Sequence, residues 1–368
     1  MRLSLWKKAA VLGLAFTMTM SLTACGGIKG NKADARSTEL SVDAKELVFK
    51  GEDIDASDVK GEVGLNSFVR LDDKIYFFTI ENLDEGASDS DDSGRTFIRT
   101  HKIYSMNADG TGLTQICEPE IGDYGVMQTL MFDKDKNMII FSSYFDHKAE
   151  KNRCYISRID ENGKVKDSKD FADIINSDTL IFDMCEDDKG NYIAVSSDKV
   201  FVLDSNFNMI SDFKCDKDKY LYNCAKTADG KIFCGLESDN DINCVCELDV
   251  ENKKFGEPIE VGRDQYISNL VDGDEEYDLY YEDGKDIYGF SVKDKTSKML
   301  VDYTSSGVTE LRSFIMADSQ NMIGGEIDIS GTKLTCYKKV DPSQVKDKTV
   351  ITFGSLKEKS HGHRSLYG

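Results

Sequence analysis

Six times between residues 66 and 341 the chain repeats one unit: an apolar strand, a turn built of Asp, Asn, Gly and Lys, a second strand, and then a hairpin. The turns fall near residues 73, 135, 189, 229, 274 and 319, so successive units lie 62, 54, 40, 45 and 45 residues apart. The last three spacings match one four-stranded propeller blade, a unit that buries its faces only by packing against copies of itself. The hairpin is clearest at Lys102–Cys117. There Ile103, Tyr104 and Met106 lie on one strand and Asn107, Asp109, Gly110 and Gly112 make the turn. Asn, Asp and Gly tolerate the positive φ that tight turns need. The same hairpin returns at 154–169, 199–213, 245–261 and 287–303.

These units predict an all-β, six-bladed β-propeller over residues 45–341. Windows with a helical period are scarce, whereas short strands rich in Val, Ile, Tyr and Phe occur throughout. The sixth unit ends after its third strand, 332–340, and Glu46-Leu47-Val48-Phe49-Lys50 is a strand without a unit of its own. The N-terminal strand is therefore expected to complete the last blade and close the ring, which protects the sheet edges. Two units are lengthened by insertions, Glu81–Arg99 and Phe145–Arg153. Their polarity predicts loops between second and third strands, both on one rim of the ring.

Charge narrows the partners. The chain carries 46 Lys plus Arg against 67 Asp plus Glu, a formal charge of −21. Such a surface repels phosphate backbones and anionic headgroups, so nucleic acid is excluded as a partner. The acidic residues cluster in turns, as in Asp72-Asp73, Asp187-Asp188 and Asp272–Glu276, where they act as solvated turn residues.

Residues 1–24 have the form of an export signal: Arg2, Lys7 and Lys8, an apolar run from Ala9 to Met20, then Leu22-Thr23-Ala24-Cys25-Gly26. That run is shorter than the ~20 apolar residues a membrane-spanning helix needs. The last stretch resembles the lipobox of bacterial lipoproteins. The resemblance implies cleavage between Ala24 and Cys25, and a diacylglyceryl group on the Cys25 thiol as the one covalent addition, with no other cofactor. Two acyl chains, at ~0.8 kcal/mol per buried CH₂, anchor stably where one does not. The protein is then expected on the extracellular face of the cell membrane, with residues 25–44 as a flexible tether.

The Lys102–Cys117 hairpin resembles the repeat of TolB-type bacterial β-propellers. The order of lipobox and propeller is similar to that of Gram-positive lipoproteins in which a propeller precedes the extracellular solute-binding domain of an ABC importer. Residues 342–368 hold a linker and then Thr349-Val-Ile-Thr-Phe-Gly-Ser355, which resembles the first strand of such a domain. Only Leu356–Gly368 follows, so this segment is expected to be a strand without its sheet. The resemblance implies a non-enzymatic binding or scaffold module tied to solute uptake, with sugar as the expected solute. It also implies partners among importer components, or among surface glycans and proteins.

Direct chemical signals are few. No HExxH, GxSxG, P-loop or dinucleotide fingerprint is present, so no catalytic residue is assigned. Beyond Cys25 stand nine cysteines, an odd number without disulfide-scaffold spacing, read as core-filling residues. Cys224, Cys234, Cys244 and Cys246 share one unit but lack a CxxC pair or a nearby His, so no metal site is assigned. Asp133-Lys-Asp135-Lys-Asn137 starts like a calcium loop but lacks the later Gly and Glu, and reads as an acidic turn. His361-Gly-His363 lies in the polar tail. Tyr124, Tyr220 and Tyr266 each precede a first strand, where they could ring the channel mouth and bind a sugar or peptide. The alternative is a propeller hydrolase or lyase with a divalent cation in the channel. Asp183, Asn223 and Asn269 are its first candidate ligands.

Overall fold

A computed structural model of the chain describes residues 48–352 apart from 85–96, 122–124, 147–150, 172–173, 175–180, 217–218, 239–241, 263–266, 268, 283–285, 303–310, 329–330 and 341–350. The closing strand comes first, β1 (Val48–Ile54). Blade 1 holds β2 (Glu62–Val63), β3 (Val69–Leu71), β4 (Lys74–Asp84), β5 (Phe97–Asn107) and β6 (Thr114–Cys117). Blade 2 holds β7 (Val126–Phe132), β8 (Met138–Asp146), β9 (Lys151–Ile159) and β10 (Val165–Asp170). Blade 3 holds β11 (Ile181–Glu186), β12 (Tyr192–Ser196), β13 (Lys199–Leu203) and β14 (Met209–Lys214). Blade 4 holds β15 (Tyr220–Lys226), β16 (Ile232–Ser238), β17 (Ile242–Asp249), β18 (Lys254–Phe255) and β19 (Ile259–Gly262). Blade 5 holds β20 (Asn269–Asp272), β21 (Leu279–Glu282), β22 (Asp286–Ser291) and β23 (Thr296–Asp302). Blade 6 holds β24 (Leu311–Met316), β25 (Asn321–Asp328) and β26 (Gly331–Val340), and is completed by β1. The architecture is an all-β propeller of six antiparallel sheets.

Closure follows the sequence expectation. β1 pairs antiparallel with β26 along its whole length, from Val48 opposite Val340 to Ile54 opposite Leu334. A short β27 (Ile351–Thr352) pairs with the outer edge of β1, Ile351 opposite Phe49. Within the segment expected to lack a sheet, Ile351 and Thr352 thus find backbone partners on the free edge of the closing strand, and the rest of 349–355 lies outside the described residues.

The two insertions also differ from expectation. β4 and β5 stay in register out to Asp84 opposite Phe97, and β8 and β9 out to Asp146 opposite Lys151. The described ends of the two insertions, 81–84 with 97–99 and 145–146 with 151–153, therefore extend the ladders rather than looping. A projecting hairpin satisfies its backbone through its partner strand, so polar side chains do not prevent pairing.

The apolar residues sort into six clusters, one at each junction between neighbouring blades. Phe78, Ile103 and Met127 join blades 1 and 2, and Phe141, Phe171 and Phe201 join blades 2 and 3. Val202 and Leu236 join blades 3 and 4, and Phe233, Leu279 and Phe290 join 4 and 5. Tyr280 and Phe314 join 5 and 6, and Phe77, Tyr104 and Ile323 join 6 and 1. Alternate residues of each strand face opposite neighbours, which is why the strands read as nearly continuous apolar runs.

Four of the acidic turns share one geometry. Asp133, Asp160, Asp187 and Asp204 each accept at Oδ1 from the backbone N–H groups two and four residues on. The fourth residue of each turn has positive φ: Lys136 (61°), Gly163 (81°), Gly190 (80°) and Phe207 (60°). An Asp at the first position and a Gly at the fourth meet those demands at least strain, which explains the recurring D-x-x-G pattern.

Candidate functional site

The six innermost strands surround a channel containing a cavity of about 300 Å³. On four of them a β-bulge breaks the register near the start: between Met127 and Thr129, Ile181 and Asp183, Leu221 and Cys224, and Leu311 and Ser313. A bulge turns the next side chain toward a new direction. The residues brought to equivalent positions are Ser67, Thr129, Asp183, Asn223, Asn269 and Ser313, one from each blade. All six are polar and all are buried.

This ring ties the blades together. Asp183 Oδ2 accepts from the Cys224 N–H of blade 4 at 2.9 Å, and its Oδ1 accepts from the Met184 N–H at 2.8 Å. The Thr129 hydroxyl of blade 2 also bonds to this carboxyl, so one side chain links three blades. Burial pushes the Asp183 carboxyl up to about 7, against the lowering effect of these donors, and the Asp272 carboxylate adds to the rise. Ser313 Oγ of blade 6 accepts from the Ser67 N–H of blade 1 at 3.0 Å, across the closure. In blade 5 the Asn269 amide donates to Glu282.

At the other end of the same strands stand Arg70, Phe132, Glu186, Lys226, Asp272 and Met316, a second ring of mixed charge. Asp272 Oδ1 accepts from the Lys226 N–H at 2.7 Å, and the Lys226 carbonyl accepts from the Gly273 N–H at 2.8 Å. Burial raises the Glu186 carboxyl, and the Asp133 carboxylate nearby adds to it.

Tyr220 opens its inner strand, β15, and is 56 % exposed. Tyr124 and Tyr266 lie outside the described residues, as do Ala24 and Cys25. Two aromatics near the starts of inner strands escaped the sequence reading. Phe182, at the blade 3 bulge, is 43 % exposed, and Tyr222, at the blade 4 bulge, donates to Glu237 Oε2 at 2.8 Å. On the same rim, Tyr144 and Tyr155 of blade 2 stack with centroids 5.8 Å apart, beside an Arg153–Asp170 ion pair of 2.6 Å. The ring members Asp183, Asn223 and Asn269 were legible as inward polar residues, whereas Ser67, Thr129 and Ser313 were not. The signal available for them is positional: each stands four residues ahead of the residue that begins its turn.

Among the described residues, no three His, Cys, Asp or Glu side chains converge as a cation site requires. The Asp133 turn uses its carboxylate on the Asn137 amide and on backbone N–H groups, consistent with an acidic turn. Eight of the nine cysteines beyond Cys25 are buried and Cys185 is half-buried.

Fold and channel define the chain as a six-bladed β-propeller. No protein-family profile matches the sequence. No curated protein matches it either. Solved structures share the fold. Virginiamycin B lyase from Staphylococcus aureus, in an inactive variant with quinupristin, aligns with a TM-score of 0.50 at 11% identity, over 79% of this chain and 100% of that one. A protein of unknown function from Dyadobacter fermentans gives 0.54 at 13% identity, over 80% and 99%. A luciferin-regenerating enzyme gives 0.51 at 10%, over 81% and 96%. At these identities the likeness is one of fold.

Proposed function

We propose that this protein is a lipid-anchored propeller on the extracellular face of the cell membrane, a binding or scaffold module that works through the rim carrying Phe182, Tyr220 and Tyr222. The observation that carries the non-enzymatic reading is the use of the inner polar ring. The oxygens of Asp183 and Ser313 accept backbone N–H groups of the next blade and so hold the ring closed. Exposed aromatic faces with neighbouring hydroxyl and carboxylate groups suit a sugar or a peptide. The anchor rests on Leu22, Ala24 and Cys25, and the tie to an ABC-type uptake lipoprotein on the Thr349–Ser355 segment.

Metabolic labelling of a Gram-positive host with an alkyne fatty acid tests the anchor. Label on the wild-type chain and none on Cys25→Ala is expected; equal label on both refutes it. Glycan and peptide arrays test the rim. Binding weakened at least about tenfold by both Tyr220→Ala and Phe182→Ala is expected, that is, ~1.4 kcal/mol of contact each. Binding unchanged in both variants removes the rim from the proposal.

A second reading, a hydrolase or lyase acting in the channel, is favoured by one observation: Asp183, poised to exchange a proton near pH 7, lines the cavity. A thermal shift with Ca²⁺ that EDTA reverses, lost in Asn223→Ala and Asn269→Ala, would support it. Identical melting in Ca²⁺ and in EDTA counts against it.

A further inference from the structure

The junction of blades 3 and 4 is rich in sulfur. Cys215, Cys224, Cys234, Cys244 and Cys246 are buried there, and Cys185 of β11 packs against them. Cys224, Cys234 and Cys246 stand directly opposite one another across β15, β16 and β17, so their side chains share one face.

Cys185 and Cys224 differ from the other four in facing the channel. Both line the channel cavity of about 300 Å³, and Cys185 is half-buried. The Cys224 thiol is hydrogen-bonded to the Cys185 sulfur across the blade junction. The spacing is held from one strand position away, because Asp183 Oδ2 accepts from the Cys224 N–H at 2.9 Å. By contrast Cys234 and Cys246 are fully enclosed, each with 0 % exposure.

We propose that Cys185 and Cys224 are an oxidisable pair that a small hydroperoxide entering the channel converts into a disulfide stapling blade 3 to blade 4. The Cys185 sulfur attacks one peroxide oxygen: the S–O bond forms, the O–O bond breaks, and the other oxygen leaves with the thiol proton, as water from hydrogen peroxide or as an alcohol from an organic hydroperoxide. The resulting sulfenic acid is attacked by the Cys224 sulfur: the S–S bond forms, the S–O bond breaks, and water carries off the Cys224 proton. Two electrons pass from the thiols to the peroxide. Cys185 is half-buried whereas Cys224 is buried, so the channel reaches Cys185 first, which assigns the first attack to Cys185 and the resolving step to Cys224.

The test uses the purified full chain, treated with hydrogen peroxide, alkylated under denaturing conditions and mapped without reduction. A peptide linked through Cys185 and Cys224, reversed by dithiothreitol, is expected. The oxidised protein should melt roughly 5 °C above its reduced form, because the new link constrains the unfolded chain. That difference should vanish in Cys185→Ser and in Cys224→Ala, each compared with its own reduced state. The wild-type map stands on its own should either variant fail to fold. A Cys234–Cys246 link, a sulfinic acid on Cys185, or alkylation of both Cys185 and Cys224 after peroxide each overturns the proposal.

Discussion

Asp183 makes the ring's stability depend on pH in a direction opposite to that of the surface turns. Its carboxyl is 8 % exposed and holds its proton up to about pH 7 in the folded state, against 3.8 in a free side chain. Below pH 3.8 both states are protonated and the group contributes no pH dependence. Between 3.8 and 7 the unfolded chain releases a proton that the folded chain keeps, so stability falls as pH rises, and above 7 the loss is complete. The full loss is about 4 kcal/mol. Replacement by Asn removes this dependence but sets an amide N–H₂ or its oxygen against the two backbone donors Met184 N–H and Cys224 N–H, only one of which an amide oxygen can satisfy well. That mismatch costs ~1–3 kcal/mol at every pH. Asp183→Asn should therefore be less stable than wild type at pH 4 and more stable at pH 8. Urea unfolding across this range measures the crossing. Circular dichroism is the appropriate signal, because the single tryptophan, Trp6, lies outside the described residues. Subtracting the two profiles cancels turn carboxylates such as Asp160 and Asp204, whose lowered pKa values give stability that is lost as pH falls. Parallel profiles from pH 4 to 8 would refute the reasoning.

Two further perturbations probe the ring and the turns. Ser313→Ala leaves the Ser67 N–H without its acceptor across the closure, and a loss of ~1–3 kcal/mol in urea unfolding is expected; a change under ~0.5 kcal/mol would show that the contact carries nothing. Lys136 and Phe207 occupy the same left-handed turn position, so glycine relieves ~1 kcal/mol of strain at each. Lys136 has only an exposed ion pair with Asp72 to lose, and Lys136→Gly should fall within ~1 kcal/mol of wild type. Phe207 is fully buried beneath the Arg158 guanidinium, 4.1 Å from the ring centroid, and Phe207→Gly should cost ~2–4 kcal/mol net. Equal effects at the two sites would sink the strain argument.

The blades were legible because every acidic turn is a local event: the Asp, the residues it caps and the left-handed position lie within five consecutive residues. Closure by β1 was legible for a related reason, since a unit lacking one strand and a strand lacking a unit complete each other. What the sequence hid is what forms only between blades. Nothing near Ser313 announces that its partner is Ser67, because that contact exists only once the ring has closed. Arg158 is similar: it bridges Asp133 of its own blade and Tyr192 and Phe207 of the next. The strand ends at Glu81–Asp84 and Phe97–Arg99 were hidden for another reason. Their sequence is too polar to show the hydrophobic alternation from which a strand is read, although the ladder continues through them.

Connectivity also bears on how an anchored ring would present itself. In each blade the first-to-second and third-to-fourth strand turns share one rim, while the second-to-third connections and the links to the next blade share the other. β1 serves as the fourth strand of blade 6 and begins at Val48 opposite Val340, the end of β26. The chain therefore enters the ring on the rim of the acidic turns, opposite the one bearing Tyr220, Phe182 and the two projecting hairpins. The acidic rim repels anionic headgroups, so under the proposed acylation of Cys25 the anchor and this repulsion would together turn the aromatic rim away from the membrane. At full extension the segment from Cys25 to Val48 spans at most ~80 Å, room for the ring to stand clear of the surface. An epitope inserted within residues 85–96 should then be bound by antibody on intact cells as fully as on lysed ones. An epitope exposed only after lysis would place the aromatic rim against the membrane or the chain on its inner side, and either result would refute this orientation.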